Sequence, residues 1–429
     1  MTVTIYCPNP SARLLYVLHV LFTLLGRVKF QVKHPNAYSA DLAPALSYGC
    51  VLPDVRQIPD AGCLHQNTIL SEMPAHIDHP NYKGFFPAIG HYDIPFDLFA
   101  SAFCILTDFW TVSGLLPSDE HGRTQDQLHP IRLLGWHTYP LIHAYKDVLW
   151  NLLQLSPIAS TNPDSLQLTL DIDEPWKHRH KPISVTIGGF AKAILQLDFT
   201  SLKERYKALV LKNDPFDLLG SIQNPEQLTL FFLIERHDAR DGRHTWKNKA
   251  YRNLIQECRD RGFHIGIHPS YTSSTIPGRI TEEKNYLEDI LKTPVYKSRQ
   301  HFLRYRNPET FAELENAGIQ EDYSVCPIHF TGYIRGMAIP FPWYNFDKQQ
   351  MSSLQIVPVM VMDRALQKYQ GIQANQAAEA IHTEIETCKQ VGGTCTLLWH
   401  NTTLSETGEW MGWKKVWNEV QTDAKNQLI

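Results

Sequence analysis

Apolar and polar side chains alternate along residues 166–170, with Leu166, Leu168 and Leu170 set against Gln167 and Thr169, and the run ends in Asp171, Asp173 and Glu174. That period of two predicts a half-buried strand delivering acids to a rim. Further along, Leu228-Thr-Leu-Phe-Phe-Leu-Ile234 is an apolar run, the mark of a strand buried on both faces. Trp246, Ala250, Leu254, Ile255 and Cys258 then form one helical stripe that stops at Gly262. The same grammar repeats: a strand over Phe263–His268, a helix over Thr281–Leu291, a strand over Val295–Ser298, and a helix capped by Asn307 with Pro308 at its first position and Gly318 at its end. Leu354–Met362 reads as another buried strand, Ala374–Gln390 as a helix, and Cys395–His400 as a strand. A closing helix carries Trp410, Trp413, Val416, Trp417 and Val420. Alternation repeated this often predicts parallel strands joined by crossover helices, either a barrel or an open doubly wound sheet.

Residues 1–160 follow a different pattern. Helical stripes appear at Arg13–Leu25, Phe96–Phe109 and Leu141–Leu155, and Ser39–Tyr92 is rich in Pro, Gly and His with little periodicity. This predicts a smaller α+β domain, divided from residues 161–429 near the Asn162–Asp164 turn. Its polar cluster, Ser118–Arg123, reads as a solvated loop or as an element that positions a ligand.

Composition narrows the picture only in part. A net charge of −4 leaves no nucleic-acid footprint, and 43% apolar residues suit a globular core. The eight cysteines show no C-x-x-C pair, as expected of free thiols in a reducing compartment. No basic n-region with an apolar run opens the chain, and Leu14–Gly26 falls short of the roughly 20 residues needed to span a bilayer. A cytoplasmic location follows as the expectation, with oligomeric state left open. No G-x-G-x-x-G or G-x-x-x-x-G-K-[ST] follows a strand, which removes the main support for nucleotide binding.

The chemistry-bearing residues fall at predicted strand ends: Asp171 and Asp173, His268, Arg299 and His301, and His400. In a parallel barrel that rim is where reactions occur. Two acids two residues apart are ordinary in a turn, but they also suit a shared site, one binding a cation and the other accepting a proton. His268 is a structural histidine or, beside an Asp on the same rim, a ligand for zinc or a similar divalent ion. His400 is a structural strand end or a general acid.

At these positions the chain resembles the polysaccharide deacetylases of carbohydrate esterase family 4. Leu168-Thr-Leu-Asp-Ile-Asp173 is similar to the family's opening strand and acid pair, here separated by Ile172; Leu230-Phe-Phe-Leu233 is similar to its Thr-Phe-Phe strand. Gly262–His268 resembles the segment carrying the first metal histidine, Arg299-Gln-His-Phe302 the Arg-x-Pro-aromatic motif, and Leu397-Leu-Trp-His400 the late Leu-x-His motif. The resemblance implies a distorted (β/α) barrel, Asp171 as catalytic base, Asp173 and His268 as metal ligands, His400 as catalytic acid, and Arg299 as the residue that orients Asp171. The family's second metal histidine, four residues after the first, is Thr272 here. His301 is the substitute expected; His264 is the weaker candidate, since four residues of extended strand separate it from His268 by about 13 Å. Ile267–Tyr271, Ser298–His301, Gly332–Gly336 and Pro340–Tyr344 are similar to a divergent bacterial branch, whose N-terminal region also resembles residues 13–155, including Phe96–Phe103 and His121-Gly-Arg123.

The function implied is hydrolysis of an N-acetyl group on a sugar or polysaccharide precursor. A divalent ion, zinc by preference, held by Asp173, His268 and His301 polarises the acetyl carbonyl and acidifies a water; Asp171 takes the proton and His400 protonates the leaving amine. Tyr271, Arg335, Trp343 and Tyr344 are candidates for the sugar site, the aromatic ones equally for core packing. The rivals are a catalytically silent carbohydrate-binding or scaffold protein, and a metal-dependent amidohydrolase acting on a non-sugar substrate.

Overall fold

The computed structural model describes residues 1–39, 44–65, 67–156, 166–217, 222 and 225–426, with side chains to residue 422. The expected boundary at Asn162–Asp164 lies outside these residues.

The chain begins with β1 (Thr2–Tyr6), the helix Ala12–Leu18 continued by a π-helical segment over His19–Leu25, and β2 (Lys29–Lys33). β3 (Ala45–Tyr48) and β4 (Arg56–Ile58) complete a four-stranded sheet in the order β2-β1-β3-β4. All its pairs are parallel. The helical stretch 12–25 crosses from β1 to β2 and returns the chain in the same direction. An antiparallel hairpin, β5 (His76–His79) and β6 (Tyr82–Phe85), follows, then the helices Leu98–Thr107 and Leu141–Leu152.

From residue 166 the strands are β7 (Leu166–Ile172), β8 (Leu228–Phe232), β9 (His264–Ile267), β10 (Lys297–Ser298), β11 (Glu321–Asp322), β12 (Phe341–Asn345), β13 (Gln350–Ile356), β14 (Val361–Met362) and β15 (Cys395–His400). They form one sheet in the order β12-β13-β11-β10-β9-β8-β7-β15-β14, parallel throughout except for the β12–β13 pair. β13 and β14 stand near opposite ends of that order, yet only residues 357–360 separate them. Seven strand spacings in a flat sheet would span about 33 Å, whereas so short a link reaches roughly 18 Å. The sheet is therefore strongly curled. Along the link, Val359 N–H bonds the Val325 carbonyl beyond β11, and Met360 N–H bonds the Thr396 carbonyl of β15.

The two regions share one hydrophobic core. Tyr16 donates its hydroxyl to the Pro342 carbonyl at 2.9 Å and packs its ring on Tyr344, and Phe103 meets the same Tyr344 ring edge-on. Asn307 does not cap the helix Glu309–Asn316 as expected; its side-chain amide donates across the junction to the Thr107 carbonyl. Among the described residues, no helix is long and apolar enough to cross a membrane.

Candidate active site

β7 and β15 lie side by side with Asp171 registered against His400, so two of the sequence-derived residues are brought together by strand pairing alone. Asp171 is buried and held from behind. The fully buried Arg299 donates to Asp171 Oδ1 at 2.8 Å, to the Thr169 hydroxyl at 2.7 Å and to the Tyr323 carbonyl at 3.1 Å, and its plane lies over the Phe231 ring. A guanidinium committed on every edge is a positioning device rather than a substrate contact. Asp171 Oδ2 stays on the other side, 3.6 Å from His268 Nε2.

Asp173, His268 and His301 converge: one ligand-type atom from each lies within 4.8 Å of the others. His268 Nε2 is 3.2 Å and His301 Nε2 3.8 Å from Asp173 Oδ1. Two atoms bound to one tetrahedral zinc with arms of about 2.0–2.1 Å stand roughly 3.3 Å apart, which these spacings approach. Asp173 Oδ1 and His268 Nε2 are buried and have no hydrogen-bond partner. Such orphaned polar atoms are costly unless a cation satisfies them. The far sides of both rings are fixed: His268 Nδ1 lies 2.5 Å from the Arg299 carbonyl, and His301 Nδ1 3.1 Å from Asp241 Oδ1. In the tautomers that donate along these contacts, both Nε2 lone pairs face Asp173, the outer-sphere arrangement that prepares imidazoles for a metal. The residues fit a divalent ion.

The electrostatics agree with the geometry. Burial raises the Asp173 carboxyl, but the imidazoles of His268, His301 and His400 outweigh it and hold the group well below the usual range. Burial pulls His268 down, and the Asp171 and Asp173 carboxylates together raise it above an ordinary histidine. Of the other ligand candidates, His264 is exposed at the start of β9, and the Thr272 hydroxyl accepts from Arg279 at 2.7 Å; neither belongs to the cluster.

His400 is oriented by Asp363, a residue the sequence reading passed over. Asp363 Oδ1 lies 2.8 Å from His400 Nδ1, while its Oδ2 accepts from the His400 backbone N–H and the Thr403 hydroxyl. Burial raises Asp363, and His400, with Arg364 and the Thr403 hydroxyl, more than offsets this and lowers the group below an ordinary aspartate. Asp363 follows β14 directly, so the strand-end pattern that revealed the other residues also pointed here. Asp241 was missed as well. It sits in an aperiodic loop, where its carboxylate accepts from the backbone N–H groups of Tyr271, His237 and Asp238 besides holding His301.

A cavity of about 520 Å³ opens over Asp171, Asp173, His301 and His400. Part of its wall is the N-terminal loop 119–127, so the polar cluster at Ser118–Arg123 is more than a solvated loop. Arg123 ties that loop down by donating to Asp119 and to the Phe302 carbonyl, and Arg304 donates to the His121 carbonyl. The opposite wall includes Arg364, Lys368 and Tyr369, the last two on a π-helical turn over Ala365–Tyr369.

The four residues expected to touch sugar are placed elsewhere. Trp343 and Tyr344 are buried in β12 as core packing: Tyr344 lies against Tyr16 and Phe103 of the N-terminal helices, and Trp343 against Phe311 of the helix Glu309–Asn316. Arg335 is buried in an ion pair with Asp108 at 3.1 Å, beside a separate cavity of about 30 Å³. Tyr271 is wedged between Arg240 and Arg304, and its hydroxyl meets His121 Nδ1 at 3.0 Å. None of them lines the larger cavity.

Comparison with known proteins gives these findings. A model described as a family of unknown function (DUF7033) matches residues 3–156. No curated protein matches the chain. Among solved structures, the chain is similar to a protein from Mycobacterium smegmatis assigned as a polysaccharide deacetylase, at 15% identity and a TM-score of 0.38 over 62% of this chain and 87% of that one. It is similar to a polysaccharide deacetylase from Bacillus cereus at 9% identity and a TM-score of 0.28, over 62% of this chain and 88% of that one. A mutant of a CE4 family pseudoenzyme with restored enzymatic activity matches at 10% identity and a TM-score of 0.28, over 63% and 68% respectively.

Proposed function

We propose that the chain is a divalent-metal-dependent hydrolase that removes an N-acetyl group from a sugar or polysaccharide precursor. The observation that supports this most is the sequence of groups along one cavity: a buried carboxylate fixed by Arg299, an Asp–His–His cluster with unsatisfied buried atoms, and a histidine fixed by Asp363. The reading takes the curled sheet as a distorted (β/α) barrel and the chain as a divergent relative of carbohydrate esterase family 4, on the strength of the motif positions.

Asp173, His268 and His301 would hold the ion, zinc being the best match to one oxygen and two imidazole nitrogens. A bound divalent ion supplies Lewis acidity toward an acyl oxygen and toward water. Asp171 accepts the proton of the attacking water, since Arg299 commits Oδ1 and leaves Oδ2 toward the cluster. His400 delivers a proton to the departing nitrogen. An amide nitrogen leaves poorly unless protonated, so both groups are required. Asp363 on Nδ1 fixes the ring so that Nε2, at the cavity side, is the atom from which the imidazolium delivers its proton. Phe302 and the partly exposed Tyr369 offer flat apolar faces to a sugar ring.

Acetate release from N-acetylated sugars and oligosaccharides by the zinc-loaded chain tests the reading. Release that disappears in Asp171→Asn is expected; no acetate from any acetylated glycan, or an Asp171→Asn variant as active as the parent, contradicts it.

A further inference from the structure

Between β7 and β8 the chain builds two helices, Ile183–Leu195 and Phe199–Leu209, that pack mainly on each other. Their base is clamped to the body: Asp214 accepts from the backbone N–H groups of Lys177, His178 and Arg179, and Glu204 pairs with Lys177 and His178. Their outer surface is unlike the rest of the molecule. Among the described residues 26 large apolar side chains are exposed, and 11 of them fall within residues 183–211. A proportional share would be about two, so this is a coherent patch rather than the scatter expected of a solvated surface.

The patch has helical order. At 100° per residue, Ile183, Ile187, Phe190 and Ile194 share one face of the first helix. Phe199, Tyr206 and Val210 share one face of the second, opposite the buried Ala208. Leu195 and Leu197, exposed at 85% and 73%, occupy the tip. Within residues 183–211 four cations, Lys192, Lys203, Arg205 and Lys207, stand against Asp198 and Glu204, a net +2 on a chain whose total is −4. Lys203 and Lys207 lie next to the apolar face of the second helix, where long stems can lie along apolar surface while their ammonium groups reach outward.

We propose that this hairpin is a membrane-docking element, lying in the interface of an anionic lipid bilayer with its apolar faces among the acyl chains and its lysines at the headgroups. Helices of 13 and 11 residues are too short to span a bilayer but suit an interfacial position. Charge separates this occupant from a second copy of the chain. A symmetric dimer would bring the same basic faces together, whereas an anionic surface complements them. The hairpin follows the end of β7, the strand that carries Asp171.

Flotation of the full chain with vesicles tests this without recourse to catalysis. Vesicles of phosphatidylcholine with about one third phosphatidylglycerol should carry the chain upward, with binding falling at least about tenfold in high salt or on pure phosphatidylcholine. Ile187→Ser with Phe199→Ser, and separately Lys203→Glu with Lys207→Glu, should abolish flotation. Phe199→Trp supplies a direct readout if the serine variant melts early: its emission should shift to the blue when anionic vesicles are added. A parent chain that stays at the bottom with both vesicle types overturns the proposal, as does a dimer in sedimentation that the serine variant dissociates, or an emission that vesicles leave unchanged.

Discussion

His301 Nδ1 lies 3.1 Å from Asp241 Oδ1, so a carboxylate from the loop after β8 fixes the ring whose other nitrogen faces Asp173. Burial raises the Asp241 carboxyl, and the contact with His301 together with the backbone N–H groups of Tyr271 and His237 outweighs it, lowering the group below an ordinary aspartate. In the proposed site His301, arriving from another strand end, stands in for a histidine four residues after His268, and Asp241 is what aims it. Asp241→Asn should weaken divalent-ion affinity by about 10- to 100-fold, the usual cost of losing a carboxylate behind a ligating histidine. Competition against a chromogenic chelator measures this directly; unchanged affinity would separate Asp241 from the metal site.

Asp363 performs the matching task for His400. Asp363→Asn should lower kcat by about 10²- to 10⁴-fold while leaving ion content unchanged. A purely structural role for Asp363 would alter stability without lowering kcat.

Tyr344 and Tyr369 should separate core from cavity. Tyr344 is fully buried against Tyr16 and Phe103, and Tyr344→Ala should cost roughly 3–5 kcal/mol of stability. Tyr369 is 41% exposed at the cavity wall, and Tyr369→Ala should raise KM with little change in Tm. Denaturant melts and steady-state kinetics on both variants distinguish the two roles.

Glu384, 8% exposed on the helix Ala374–Gln390, is pushed up to about 7, chiefly by burial and only partly relieved by Thr331 and Tyr333. Its folded state holds the proton more tightly than the unfolded chain. The resulting stability is fully present below the ordinary glutamate value near 4.5 and is lost as pH rises through about 7. The difference is worth roughly 3 kcal/mol. Glu384→Gln should flatten the pH dependence of stability across that window, as read from urea midpoints at several pH values.

The strands that carry the site were legible because they are buried and periodic. Asp171, His268, His301 and His400 stand where apolar runs end, and a curled parallel sheet gathers such ends. Asp363 obeyed the same rule behind a very short strand. Asp241 could not be read, since its loop has no period and its partner lies 60 residues away. The parallel pairing of β1 to β4 was hidden because β3 and β4 are very short strands inside the Pro- and Gly-rich stretch. Trp343 and Tyr344 misled for a physical reason. An aromatic pair suits a sugar face and a core equally, and only the packing of Tyr344 against Tyr16 and Phe103 and of Trp343 against Phe311 decides between them. The hairpin at 183–211 escaped because its apolar residues face outward, against the assumption that periodic apolar stripes face a core.

Metal content is the most direct measurement of the account. After incubation with zinc and removal of excess, the parent chain should retain a single tightly held ion per molecule. Asp173→Ala, His268→Ala and His301→Ala should each lose it while the fold persists by circular dichroism. A folded parent chain that retains no zinc and no other divalent ion, or cluster variants that retain as much as the parent, would contradict a metal site built from these three residues.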